Sequence, residues 1–101
     1  MNKIRKYDVQ VLYGIEYRKN KASGDRGPDY IYPNGTKKWI VNNKFHRTDG
    51  PAIEWYGGIV QWWINDELLD RLEVDDWMEK NGIKSWPFTS EEEIMFLMCF
   101  S

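Results

Sequence analysis

The sequence predicts a β-rich α+β domain: an antiparallel meander of tandem 23-residue hairpin repeats packed with one or two C-terminal helices. Three observations predict it. Shifting the chain by 23 residues superimposes Gly27-Pro28 on Gly50-Pro51, Tyr32 on Trp55, Gly35 on Gly58, Trp39 on Trp62 and Asn42 on Asn65. A fixed period of this kind marks one supersecondary unit used more than once. Each copy carries tight-turn dipeptides, Asn34-Gly35 and Asn42-Asn43 in one, Gly57-Gly58 and Asn65-Asp66 in the other. The last third changes character and shows helical spacing with capping residues.

The elements follow in order. Tyr7, Val9, Val11 and Tyr13 alternate, which reads as one half-buried strand over 7–17. Residues 18–26 are polar and read as a loop. Asp25-Arg26-Gly27-Pro28 is a worn copy of Thr48-Asp49-Gly50-Pro51, so 14–26 reads as a degenerate first unit, two residues short. In the clear unit that starts at Pro28, a two-residue turn at Asn34-Gly35 pairs Tyr30 with Trp39. The same turn at Gly57-Gly58 pairs Ile53 with Trp62, so the two units are expected to lie side by side with the Trp39 and Trp62 rings meeting in a shared interior. Two-residue turns at Asn42-Asn43 and Asn65-Asp66 set Phe45 opposite Ile40 and Leu68 opposite Trp63, on the face away from Trp39 and Trp62. Apolar groups on both faces require a cover for one of them.

Residues 74–80 place Val74, Trp77 and Met78 at helical spacing, with Gly82 as the C′ residue. Thr89 or Ser90 caps a second helix, and Glu92 or Glu93 completes a capping box. The run from Ile94 to Phe100 is apolar all round and so is expected to be buried, as a helix or as a final strand. The chain therefore divides as one domain over 1–101: an N-terminal strand and degenerate unit (1–27), two hairpin units (28–70) and a helical tail (71–101).

The totals limit what this domain does. It has 101 residues, with six Trp, six Tyr and four Phe. Large rings suit a thin sheet with little core volume. No apolar run reaches about 18 residues, so no membrane span is expected, and the start at Met1-Asn2-Lys3 shows no signal-peptide pattern. The single cysteine, Cys99, excludes an internal disulfide and reads as a buried small hydrophobe. One His and one Cys do not make a zinc site, so neither metal nor cofactor is expected. Residues 1–50 hold eleven Lys/Arg against five Asp/Glu, and residues 51–101 hold three against eleven. The halves either attract each other within the fold or offer a basic surface to an anion. A net charge of −2 argues against duplex DNA as partner.

The stretch 39–53 contains His46-Arg47-Thr48-Asp49-Gly50-Pro51-Ala52, followed by Trp62, Trp63 and Asn65 in the next strand. It resembles a His-Arg-x-Asp-Gly-Pro-Ala repeat frequent in small proteins of tailed bacteriophages, itself similar to the MORN-type hairpin repeats. The resemblance covers about 28–70. Ser23-Gly24-Asp25-Arg26 and Leu69-Asp70 depart from it. It implies a phage-encoded accessory protein in the host cytoplasm, of a kind that blunts host defences.

Five residues stand out as ligand- or partner-binding candidates: Lys38, His46, Arg47, Tyr56 and Trp63. Arg47 presents a planar fork of donors suited to phosphate or carboxylate; alternatively His46, Arg47 and Asp49 hydrogen-bond the turns as scaffold. Trp63, Tyr56 and Ile40 either stack on a base or a peptide or lie beneath the C-terminal helices. The acidic residues of 70–93 either dock on a basic protein or form a solvated helix face. No Ser/His/Asp, phosphate-loop or paired-carboxylate pattern is present, so no enzyme is expected. Asn34-Gly35-Thr36 matches a glycosylation acceptor but here reads as a turn. The functional expectation is a non-catalytic inhibitor of a host defence protein. The alternatives are a sponge for an anionic (cyclic) nucleotide immune signal and a structural or virion accessory role. Open sheet edges also leave self-association open.

Overall fold

The structure is a computed structural model that describes residues 8–19, 21 and 24–101. Tyr7, the Met1–Lys3 start and Ser23 of the degenerate unit lie outside them. The chain runs β1 (Asp8–Leu12), β2 (Ile15–Lys19), β3 (Tyr30–Ile31), β4 (Lys37–Lys38), β5 (Ile40–Val41), β6 (Lys44–Phe45), β7 (Ile53–Glu54), β8 (Val60–Gln61), β9 (Trp63–Ile64), β10 (Glu67–Leu68), α1 (Arg71–Lys80) and α2 (Ser90–Phe100). Six strands form an antiparallel sheet in the order β1-β2-β3-β4-β7-β8, and β5-β6 and β9-β10 are separate two-stranded hairpins. It is a small α+β fold, mostly an antiparallel meander, with two helices.

The expected single strand over 7–17 is instead a hairpin. Tyr13 and Gly14 both have positive φ, 52° and 79°, and turn the chain between β1 and β2. Val11 pairs with Glu16 and Leu12 with Ile15. Alternation continued through the turn, so periodicity alone hid it.

The register of the first hairpin in each unit also differs from expectation. Tyr30 pairs with Lys38, not Trp39, and Ile53 pairs with Gln61, not Trp62. The cause is loop length. Tyr32 N–H donates to Thr36 O at 2.8 Å and brackets a three-residue loop, Pro33-Asn34-Gly35. Gly35 alone takes the left-handed conformation there, φ 94°, the geometry of a three-residue hairpin loop closed by a bulge. Trp55 N–H likewise donates to Ile59 O at 2.8 Å across Tyr56-Gly57-Gly58. One residue of slip moves a side chain to the other face. Tyr30 and Ile53 therefore lie opposite Trp39 and Trp62, not beside them. Tyr17, Tyr30, Lys38, Ile53 and Gln61 run across one face of the sheet through successive pairs.

The second turn of each unit follows expectation. Asn42 and Asn43 have φ 52° and 63°, Asn65 and Asp66 have 48° and 69°. Ile40 sits opposite Phe45, and Leu68 opposite Trp63. Backbone hydrogen bonds recur at a shift of 23 residues: Asp29 N–H to Lys38 O and Ala52 N–H to Gln61 O, His46 N–H to Trp39 O and Leu69 N–H to Trp62 O.

Both helices form, the second at its expected caps and the first beginning three residues earlier than the spacing of Val74, Trp77 and Met78 indicated. Asp70 caps α1 by accepting from Leu72 N–H. Its end is a Schellman motif: Ile83 N–H donates to Met78 O at 2.9 Å and Gly82 N–H to Glu79 O at 3.2 Å, with Gly82 at φ 68°. Thr89 and Glu92 form the capping box of α2, which settles 94–100 as helix. The helices cover the Trp62 face. Trp62 stacks on Phe88 at 5.7 Å and meets Trp86 and Phe96 at 5.4 and 5.6 Å. Val74, Trp77, Met78 and Ile83 complete this core. Each large ring buries about 150–250 Å², roughly 4–6 kcal/mol of transfer free energy as an upper estimate.

Two expectations about the interior fail. Trp39 and Trp62 are both buried but share no interior, since Trp39 lies outside the helical cluster. Residues 94–100 are not buried all round: Phe96 is, while Ile94, Met95, Met98 and Cys99 are exposed. A helix packed on one side buries only a stripe. Leu97 and Phe100, on the stripe of Phe96, are the other two that pack on the core.

Candidate functional site

The His-Arg-x-Asp-Gly-Pro segment forms a closed polar network. Arg47 is buried, 8 % exposed. Its Nε donates to Asp49 Oδ1 at 2.8 Å, and its Nη1 donates to Pro51 O at 3.1 Å and Glu54 Oε2 at 2.9 Å. The guanidinium carbon lies 3.8 Å from the centre of the Trp39 ring, a stacking geometry suited to the delocalised cation. Space around it is limited, because a Cβ at Gly50 would come within 2.8 Å of Arg47 Cζ. The Trp39 indole N–H donates to Arg26 O at 2.9 Å. Arg26 reaches on to Glu93 of α2, which also accepts from Thr48.

That last contact joins the basic half of the chain to the acidic tail. The Arg26 hydrogen bond holds the Glu93 carboxyl below the usual carboxylate range, and the Glu93 hydrogen bond in turn raises Arg26. Glu92 is committed to the α2 cap, where it accepts from Thr89 N–H at 2.9 Å. Two members of the Glu91–Glu93 run thus have structural contacts.

His46 is half-buried between the two second hairpins. Its Nδ1 accepts from Asn65 N–H at 3.0 Å, which fixes the neutral ring with the proton on Nε2. Burial lowers its pKa. Next to it, Arg47 N–H donates to Trp63 O and Asp66 N–H to Phe45 O, so β6 lies along β9. An open cleft of about 210 Å³ sits beside His46, Arg47 and Trp39, and charges of both signs line it.

The remaining candidates lie on the opposite face. Trp63 contacts Phe45 at 5.1 Å between ring centres, and its indole N–H donates to Gln61 Oε1 at 3.3 Å. Lys38 Nζ lies 4.8 Å from the Tyr32 ring centre, 5.5 Å from Trp55 and 5.9 Å from Phe45. Tyr56 is 68 % exposed at its hairpin tip, where its N–H donates to buried Thr36 Oγ1 at 3.1 Å. Further along, Tyr17 and Tyr30 meet at 6.1 Å and line a shallow groove of about 280 Å³ with Leu12, Tyr13, Ile15 and Tyr32. The helices do not cover this face, since none of these rings belongs to the helical cluster.

The five candidate residues therefore divide. His46 and Arg47 are joined to turns and strands on one side; Lys38 and Trp63 share an open aromatic face on the other, with Tyr56 at a hairpin tip. Sequence reasoning missed Tyr32, Trp55 and Phe45 as neighbours of Lys38. A three-residue loop would have revealed them, because it puts Tyr32, Lys38 and Trp55 on one face. Among the described residues no group of three or more His, Cys, Asp or Glu is placed to hold a metal ion, and no helix is long and apolar enough to cross a membrane. Comparison with known protein families, with curated proteins and with solved structures finds no match to this chain.

Proposed function

We propose that this protein is a non-catalytic binding protein that docks a partner protein on the aromatic face of its sheet. The 23-residue hairpin repeats act as scaffold for that face. One observation carries the reading: Phe45 meets Trp63, Tyr32 and Trp55 gather with Phe45 round Lys38, and none of these rings packs in the helical core. Exposed aromatic clusters are characteristic of protein interfaces, where Trp and Tyr supply large contact area at low entropic cost. Combined with the phage-repeat resemblance of 28–70, the partner is a host defence protein, and the chain acts in the host cytoplasm as a counter-defence inhibitor.

The nucleotide-sponge reading is less well supported. It needs cations free to meet phosphate, whereas Arg47 is matched by Asp49 and Glu54, and the Lys38 ammonium lies among rings. The acidic-tail version of docking is also weakened, because Glu93 pairs with Arg26 and Glu92 serves the cap.

The test is affinity capture from host cells, followed by titration of the purified captured protein by calorimetry. Tyr56→Ala, at an exposed loop tip, and Trp63→Ala should each weaken that complex by about tenfold or more. Both variants should keep the wild-type circular dichroism spectrum. Equal affinity of both variants and wild type, or release of a nucleotide on denaturing the wild type, would overturn the proposal.

A further inference from the structure

The surroundings of Lys38 point to a ligand class. Three rings from three separate segments converge on one ammonium: Tyr32 from the first hairpin at 4.8 Å, Trp55 from the second at 5.5 Å, and Phe45 from β6 at 5.9 Å. All three distances fall within the range where a ring face attracts a cation. Among the described residues, no carboxylate forms an ion pair with Lys38. The rings therefore serve where a counter-ion usually would. Trp55 is 40 % exposed, so its ring is reachable from solvent.

We propose that Tyr32, Trp55 and Phe45 form an aromatic cage for an alkylammonium cation, which Lys38 fills from within the chain until a cationic side chain of the partner displaces it. The occupant is a lysine or methylated lysine, and Lys38 itself shows the chemical match. The cage deepens the docking reading of this face and rests on it for the source of the occupant. The cage itself is tested without the partner. A tethered lysine competes at an effective concentration of order millimolar or higher. The wild-type site should therefore bind a free cation weakly, and removal of Lys38 should open it.

The probe is tetramethylammonium chloride, titrated into the full chain while Trp fluorescence and indole N–H resonances are followed, with sodium chloride as ionic-strength control. Lys38→Ala and Lys38→Ser should each bind the probe at least about tenfold more tightly than wild type. Adding Trp55→Leu to Lys38→Ala, which keeps apolar bulk at position 55 and removes the indole, should abolish that gain. The second Lys38 variant guards against a folding defect, and far-ultraviolet circular dichroism identifies one. No gain in either folded variant, or a gain that survives Trp55→Leu, refutes the cage. If the cage binds the probe but the captured partner ignores Trp63→Ala and Tyr56→Ala, the cage stands and the docking reading fails.

Discussion

Replacing Arg47 by alanine strands a buried carboxylate. Asp49 is 5 % exposed and accepts from Arg47 Nε at 2.8 Å. The same substitution removes the donors to Pro51 O and Glu54, and the cation stacked 3.8 Å from the Trp39 ring centre. Hydrogen bonds to charged groups contribute about 1.5–3 kcal/mol each. Breaking a buried pair from one side costs about 3–5 kcal/mol. Two features temper the sum: Arg26 Nε lies 3.8 Å from Asp49 Oδ2, and Glu54 is partly exposed and can rehydrate. We expect Arg47→Ala to cost about 3 kcal/mol, within a total stability of roughly 5–15 kcal/mol for a domain this size. That corresponds to a Tm lower by about 12 °C or more. The assay is urea unfolding followed by circular dichroism, with an unchanged slope showing that the transition stays two-state. Arg47→Met combined with Asp49→Asn removes the cation and neutralises the stranded carboxylate, and should recover much of the loss. A cost under about 1 kcal/mol for Arg47→Ala would refute the scaffold assignment and return Arg47 to the ligand-binding candidates.

Two further perturbations probe the joints of the fold. His46 accepts a backbone hydrogen bond at Nδ1, and burial lowers its pKa from 6.5. The unfolded chain takes up the proton first, so this contribution to stability is complete above about pH 6.5 and is lost as pH falls through the lower folded value. His46→Asn, whose amide oxygen can accept the same bond without titrating, should show a shallower loss between about pH 7 and 5 in thermal melts; parallel curves would exclude the effect. Thr89→Ala removes one half of the α2 capping box and should cost about 1 kcal/mol by urea unfolding, with Thr89→Ser near wild type.

Much of the fold was legible because local chemistry fixes it. Asn42-Asn43 and Asn65-Asp66 tolerate positive φ, and both tight turns formed with the expected pairs. Thr89, Glu92 and Gly82 specified helix ends through bonds made within a few residues. The loops at Asn34-Gly35 and Gly57-Gly58 were less legible. A glycine there satisfies either a two-residue turn or the bulge position of a three-residue one, and the sequence does not choose between them. That single ambiguity moved Tyr30 and Ile53 to the other face. It also concealed the ring cluster around Lys38.

The sequence by itself determined the tight turns at Asn42-Asn43 and Asn65-Asp66, the capping box of the last helix and the Gly82 end of the first, since each depends on residues close together along the chain. Tertiary structure alone decided what each repeated position became. Trp39 and Trp62 occupy equivalent slots, yet Trp39 is sealed by Arg26 and Arg47, and Trp62 by Phe88 and Phe96. The indole N–H of Trp39 donates to Arg26 O. The equivalent carbonyl for Trp62, Asp49 O, accepts from Phe88 N–H instead, and Trp62 Nε1 has no acceptor among the described residues. Burial and partnership are set by whichever segments arrive from distant parts of the chain, and a 23-residue period carries no information about them.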